Sequence, residues 1–323
     1  MTKKLPVLLK SYIKSHNPYD NLKFCRHCKH FTVLGDKECL VCGKSTLQTV
    51  EERAASMLRK SMWKARLIAL FIMVIGIVLS QSTAQIILCT AGSILLLALL
   101  LTFQRRMTPA LLLVKLEQLF QQEAYTLYAG LVHDREAAIE VFHSGNKPRA
   151  YEMLREIGAL VHTDQLRVEQ ILLLQSFILR KDMDLMLEPL LMDHFNPDLV
   201  EYIGELSKIR RDLLKENTFR YILVHEEQIL AMPGGENILV GVAGAAVRLK
   251  RYITLYPYLM LRYAHKMPKD RFLRLYQIVR NNPNPSWGKL NEEVTRIYDE
   301  KYKWDEDFQR INKEQVSKEP SGS

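Results

Sequence analysis

The sequence contains one long stretch without a charged side chain. Residues 67 to 104 form a run of 38 positions that lacks Asp, Glu, Lys and Arg. A single helix of that length would reach about 57 Å, roughly twice the thickness of the hydrocarbon core of a bilayer. The stretch is therefore predicted to fold back on itself as a two-helix transmembrane hairpin. Its arms are residues 63 to 79 and 86 to 103, and the polar residues 80 to 83 form the bend.

Basic residues flank this hairpin on both sides, and the bend between the arms carries no charge. Because loops rich in Lys and Arg stay on the cytoplasmic side, both chain termini are predicted to lie in the cytoplasm, with the hairpin in the cell (inner) membrane. A signal peptide is disfavoured because the run begins only after 66 residues. A buried hairpin of a soluble protein is the stronger alternative. The six flanking residues are Arg59, Lys60, Lys64, Arg66, Arg105 and Arg106.

The net charge of +9 is concentrated at the start of the chain. Residues 1 to 66 contain 14 Lys or Arg and 5 Asp or Glu, whereas residues 105 to 323 contain 31 of each. Within residues 1 to 18, apolar side chains recur at helical spacing from Leu5 to Ile13. We therefore predict a basic amphipathic helix there, which either lies on the anionic leaflet or packs on the segment that follows.

Four of the five cysteines form two pairs, and two residues separate the members of each pair. Cys25 and Cys28 are followed after ten residues by Cys39 and Cys42. Thiolates at this spacing suit a tetrahedral zinc site, and a reducing cytoplasm disfavours disulfides. We predict one structural Zn²⁺ held by the four cysteines. The neighbouring histidines are not expected to be ligands, and a closed site argues against catalytic zinc because no position remains for water.

The segment around these cysteines resembles a zinc ribbon. Residues 31 to 34 are typical of a strand, and Gly43 can adopt the positive φ that closes a cysteine knuckle. The resemblance covers residues 24 to 45 and departs from the common ribbon pattern at Lys29, where glycine is usual. It implies a small β zinc ribbon, which we assign to residues 19 to 47, similar to ribbons of membrane-anchored bacterial proteins.

The rest of the chain is predicted to be helical. Residues 48 to 66 form a linker helix, and residues 107 to 309 form an all-helical cytoplasmic domain of about eight helices that begins at Thr108 and Pro109. Residues 141 to 157 resemble part of a tetratricopeptide helix pair, within an irregular bundle or solenoid. The polar tail, residues 310 to 323, is predicted to be disordered. The fold class is thus mainly α.

No grouping of acid, base and nucleophile is visible in the helical region, so we predict a non-enzymatic adaptor or scaffold. It would hold cytoplasmic protein partners at the lipid bilayer. One alternative is a zinc- or redox-responsive membrane regulator, and another is a transporter or channel component in which hairpins form a homo-oligomer. Nucleic acid is a disfavoured partner, since nearby anionic lipid accounts for the same basic charge.

Overall fold

The computed structural model describes residues 4–12, 17, 19–35, 38–80, 82–282 and 287–316. The chain divides into two compact units. The ribbon unit comprises Ile13–Leu160, and the helical unit comprises Met1–Tyr12 with Val161–Ser323. The limit between the units falls inside the region predicted as a single helical domain.

Three short antiparallel strands open the ribbon unit. They are β1 (Lys23–Cys25), β2 (Phe31–Thr32) and β3 (Leu47–Thr49), in the order β2-β1-β3. The central strand pairs Phe24 with Phe31 on one side and with Gln48 on the other. The strand predicted over residues 31 to 34 is present only at residues 31 and 32, and neither β1 nor β3 was predicted. The linker helix predicted from residue 48 begins two residues later. Asp36 and Lys37, between β2 and the second cysteine pair, lie outside the described residues.

Helix α1 (Val50–Val78) follows β3 without a connecting loop. Its first turn is closed by a capping box, in which the Glu52 amide donates to the Thr49 hydroxyl at 3.1 Å and the Thr49 amide donates to the Glu52 carboxylate at 3.3 Å. Two acidic residues in the first turn also stabilise the helix, because their negative charge lies at the positive end of the helix dipole. The sheet and the first long helix are therefore one continuous piece of structure.

Helix α2 (Thr83–Gln122) packs against α1 and completes the hairpin. Both helices are long and apolar enough to cross a membrane. In their most apolar windows only 0% and 6% of the residues are buried, whereas a core helix of a soluble protein would bury most of them. Near one end of the uncharged run, the Arg66 guanidinium donates to the side-chain oxygen of buried Gln104 at 2.9 Å.

The helix predicted to begin at Thr108 and Pro109 does not exist as a separate element, because α2 runs through both residues. Proline removes the amide that would bond to the carbonyl of Arg105. Arg105 and Pro109 are both exposed, so water can satisfy that carbonyl. The Thr108 hydroxyl meanwhile donates to the Gln104 carbonyl at 2.6 Å. Helix α2 therefore continues despite the local signal to end it.

Helices α3 (Ala124–His143) and α4 (Lys147–Gly158) complete the ribbon unit as a packed pair. Gly145 has a φ of 90°, and the Asn146 side chain accepts from the Arg149 amide at 3.2 Å to cap α4. A helix boundary thus divides residues 141 to 157, the stretch that resembles part of a tetratricopeptide pair. The likeness to a tetratricopeptide pair stays a prediction.

The helical unit is built from short helices, of which the longest described have 13 residues. Several begin directly after a one-residue break, as at Tyr256, where Pro257 opens the next helix in its first turn. The described helices are α5 (Asp164–Gln175), α6 (Pro197–Ile209), α7 (Glu216–Val224), α8 (Glu226–Leu230), α9 (Gly235–Ala246), α10 (Lys250–Leu255), α11 (Pro257–Tyr263), α12 (Lys269–Asn281), α13 (Gly288–Ile297) and α14 (Glu306–Val316).

Both ends of the chain differ from their predictions. The amphipathic helix predicted for residues 1 to 18 is wrong for residues 4 to 12, which are not helical. Proline at position 6 disfavours helical geometry at Leu5, whose amide and carbonyl instead bond to Ser176 and Ile178, each at 2.9 Å. The predicted disorder is wrong for residues 310 to 316, which belong to α14, because Phe308 and Ile311 bury apolar surface.

Candidate metal centre

The fold brings the four predicted ligand residues together. Their sulfur atoms all lie within 4.8 Å of one another, with Cys25 to Cys42 at 3.7 Å and Cys28 to Cys39 at 3.5 Å. A tetrahedral metal bound to sulfur at about 2.3 Å requires sulfur atoms about 3.8 Å apart. The four-cysteine group therefore has the dimensions of a metal site.

The two cysteine pairs adopt the same backbone turn. In the first turn, the Lys29 amide donates to the Cys25 carbonyl at 3.0 Å, and in the second the Gly43 amide donates to the Cys39 carbonyl at 2.8 Å. The φ angles are 58° at Lys29 and 67° at Gly43. Among the described residues, Lys29 is the only non-glycine residue with a positive φ. Lys29, which stands where the ribbon pattern usually has glycine, thus forms the same turn but in a strained backbone conformation.

The thiols of this group differ in how readily they ionise. Burial raises the pKa of Cys28 to about 12 and also raises the pKa of Cys39. Burial likewise opposes ionisation of Cys25, but hydrogen bonds from the Thr46 hydroxyl and from backbone amides outweigh it and lower the pKa of Cys25 to about 6. Four adjacent thiolates repel one another, so a bound cation is needed to keep them all deprotonated.

The nearby histidines have other contacts. The His27 ring nitrogen is 2.6 Å from the Lys44 ammonium, and the His30 ring meets the His133 ring edge-on at 5.6 Å between centroids. Neither histidine belongs to the metal-sized group found in the described part of the chain. Cys25 and Cys39 are buried and the other two cysteines are half-buried. The group therefore offers four sulfur ligands.

Helix α3 holds the ribbon in place. Buried Asp134 accepts from the Thr32 hydroxyl at 2.7 Å and from the Val33 amide at 2.8 Å. One turn earlier, a Cβ on Gly130 would lie 2.2 Å from the Phe31 carbonyl oxygen, so only glycine fits. The edge strand β2 is thus packed directly on the helix backbone.

Helix α1 also contacts the ribbon, through Arg53. Its guanidinium carbon lies 3.3 Å from the centre of the Phe24 ring, and the same side chain forms an ion pair with Glu123. Stacking on an aromatic face suits the planar guanidinium, one nitrogen of which is buried without a hydrogen-bond partner. The sequence analysis missed Arg53, Gly130 and Asp134 as ribbon contacts. The spacing of Gly130, Asp134 and Ala138 along one buried helix face was the available signal.

The predicted membrane-flanking residues lie away from the cysteines, along the two long helices. On α1, Arg59, Lys60 and Lys64 are exposed and Arg66 is half-buried, and on α2 both Arg105 and Arg106 are exposed. The described structure therefore contains two separate features, a metal-sized cysteine group and a basic zone on the hairpin.

The helical unit contains an open cavity of about 310 Å³ beside α7. Val224 at its edge is 71% exposed, and the buried Tyr221 hydroxyl accepts from the Asn196 amide at 3.0 Å. Apolar and charged side chains line this cavity together. They are Glu188, Leu191, Met192, Asp193, Asn217, Arg220, Tyr221, Val224 and His225.

The fold and the site define a mainly helical protein in which a four-cysteine, metal-sized ribbon continues into two helices of membrane-spanning length. Comparison with protein-family models, with curated proteins and with solved structures finds no match to this chain.

Proposed function

We propose that this protein is a non-enzymatic, membrane-anchored adaptor whose ribbon is folded around a structural zinc ion. The observation that carries the proposal is the capping box at Thr49 and Glu52, through which the ribbon passes into α1 without a loop. A metal-stabilised module fixed directly to a membrane-length helix is suited to presenting a rigid surface at the bilayer. It is not suited to moving a catalytic group.

Zinc is the metal that the ligand set favours. Four thiolates in a closed tetrahedral arrangement are typical of structural zinc, and Cys25, Cys28, Cys39 and Cys42 would hold it. Metal binding would supply folding energy to a sheet whose strands are only two or three residues long.

The membrane assignment rests on the uncharged run and its surroundings. The exposed apolar faces of α1 and α2 need a covering, and a bilayer supplies one over the length of both helices. The basic flanks favour an orientation with both termini in the cytoplasm of the cell (inner) membrane.

The helical unit is proposed to bind the protein partner. Its cavity beside α7 combines exposed Val224 with polar and charged side chains, as an apolar contact with a polar rim would. A photo-reactive amino acid at Val224 of the full-length chain should cross-link one reproducible protein in the membrane fraction. The same group at exposed Lys289 serves as the matched control.

The partner should leave the membrane fraction in cells that lack the chain. The adaptor proposal is contradicted if Val224 captures no more protein than position 289. It is also contradicted if the captured protein stays at the membrane without the chain.

Zinc is tested separately on the purified full-length protein. Elemental analysis should find one zinc per chain, and Cys39→Ser should lose most of it, because three ligands retain only part of the binding energy. Cys89→Ser is the control, since this cysteine lies outside the group. Equal zinc in wild type and Cys39→Ser would refute the four-cysteine site.

A zinc- or redox-responsive membrane regulator is the second candidate. The half-burial of Cys28 and Cys42 favours it, because oxidation of cysteine depends on exposure and two of the four residues are not fully buried. Zinc that dissociates on mild oxidation and returns on reduction would support the regulator. Zinc retained through that cycle would support a purely structural site.

A further inference from the structure

The six membrane-flanking residues form a basic collar around the hairpin. The hydrogen bond from Arg66 to Gln104 places Arg105 and Arg106 of α2 beside the end of the basic segment of α1. The collar therefore contains cations from both helices, and along α1 it extends from Arg59 to Arg66, over about 10 Å of helix. Its members are Arg59, Lys60, Lys64, Arg66, Arg105 and Arg106.

Acidic side chains in the described part of the chain do not neutralise the collar. Apart from Arg66, the collar cations have no ion pair or hydrogen-bond partner among the residues that the structure describes. The sequence contains no Asp or Glu between Glu52 and Glu117. Cations of the helical unit often have carboxylate partners, as in the pairs Arg210–Asp212, Arg251–Glu216 and Arg296–Glu293.

Like charges in the collar also lie close together. Lys60 and Lys64 are four residues apart on one helix face, and Arg105 and Arg106 are adjacent, so the cations repel one another. Trp63 lies between the two lysines and is 61% exposed. An exposed indole suits the headgroup level of a bilayer, where the ring is half in apolar surroundings.

We propose that the basic collar binds anionic phospholipid headgroups and selects them over zwitterionic ones. This inference rests on the membrane insertion proposed above and names the lipid class involved. Guanidinium groups pair with phosphate oxygens through two parallel hydrogen bonds, and lysine adds a compact charge. A zwitterionic lipid offers the same phosphate, but its own ammonium group cancels the attraction.

The test uses full-length protein in mixed micelles that contain equal amounts of phosphatidylglycerol and phosphatidylcholine. Native mass spectrometry then counts the lipids that stay bound. Wild type should retain phosphatidylglycerol in several-fold excess. The triple variant Arg59→Gln, Lys60→Gln, Lys64→Gln should lower that ratio at least about fivefold, because each cation near an anionic surface contributes about that factor alone. Arg66, Arg105 and Arg106 are left in place to preserve orientation.

The matched control replaces three exposed lysines of the helical unit, Lys181→Gln, Lys208→Gln and Lys289→Gln, and should keep the wild-type ratio. High salt should lower the wild-type ratio as well. An unchanged ratio in the collar variant, or equal retention of the two lipids by wild type, would overturn the inference.

Membrane fractionation of cells that express the protein distinguishes a failure of this inference from a failure of the proposed function. Wild-type protein that fails to sediment with membranes contradicts the membrane anchor itself. Protein that sediments with membranes but shows no lipid preference contradicts only the role of the collar. A collar that binds single-stranded nucleic acid more tightly than anionic lipid also overturns the inference.

Discussion

Asp134 on α3 accepts a hydrogen bond of 2.7 Å from the Thr32 hydroxyl at the edge of the ribbon. Its second carboxylate oxygen accepts from the Val33 amide at 2.8 Å. Only 1% of this residue is exposed, and about 100 residues separate it from its partners. A buried carboxylate thus connects the four-cysteine ribbon to α3, the helix that follows the hairpin.

Replacing Asp134 tests this connection. Asp134→Ala leaves the Val33 amide and the Thr32 hydroxyl buried without an acceptor, which should destabilise the ribbon by about 1 to 3 kcal/mol. Asp134→Asn keeps one acceptor oxygen and should be less harmful. The measurement is the guanidinium concentration at which the full-length protein releases zinc to a chelator. If wild type and Asp134→Ala release zinc at the same guanidinium concentration, the contact does not stabilise the ribbon.

The same carboxyl group predicts a dependence on pH. Burial raises the pKa of Asp134 to about 6, although hydrogen bonds from Val33 and Thr32 and the charge of His133 oppose the rise. The folded state therefore holds this proton more tightly than the unfolded state. The stability that the protonated Asp134 carboxyl group contributes is present below about pH 4 and is lost as the pH rises to about 6.

Asp134→Asn cannot titrate, so its stability relative to wild type should increase between pH 4 and pH 7 by at most about 3 kcal/mol. Taking the difference between the two proteins at a fixed excess of zinc removes the proton release that both share at the cysteines. A difference that stays constant, or that changes in the opposite direction, would contradict the assigned pKa shift.

Lys29 should be replaceable by glycine with a gain in stability. Its φ of 58° is a left-handed conformation that costs a side-chain-bearing residue about 1 to 2 kcal/mol relative to glycine. Lys29→Gly should therefore hold zinc to a higher denaturant concentration, and Lys29→Val should release it earlier because a β-branched residue fits this region worst. Gly43→Ala, at the equivalent position of the second turn, should lower the midpoint.

Gly130→Ala should separate β2 from α3. The added methyl group would lie 2.2 Å from the Phe31 carbonyl oxygen, which is a backbone atom and cannot move alone. We expect a loss of about 2 kcal/mol or more in the zinc-release assay, as for other overpacked sites. The matched control is Gly288→Ala at the start of α13, where a methyl group meets no atom within 4 Å. Similar effects of the two changes would contradict close packing at Gly130.

The features predicted correctly from the sequence are those that local spacing determines. Two residues between cysteines are enough to form each turn, so the four-cysteine group could be found without the fold. The contacts of Asp134 and Arg53 join segments far apart in the chain, and no local pattern specifies such partners. The helix predicted around Leu5 fails because contacts with residues 176 to 178 outweigh the local helix signal. The helix start predicted at Pro109 fails because α2 continues through an exposed proline, where water can replace the missing hydrogen bond.

The central claim is that the ribbon and the helical unit lie on the cytoplasmic side of a membrane hairpin. The direct measurement labels Ser82→Cys, in a Cys89→Ser background, with a membrane-impermeant thiol reagent on sealed right-side-out vesicles. Ser82 lies at the bend and is exposed. We predict that the substituted cysteine reacts from outside, while tags at Met1 and Ser323 resist external protease until detergent is added. Protection of the bend together with external cleavage of either tag would contradict the account.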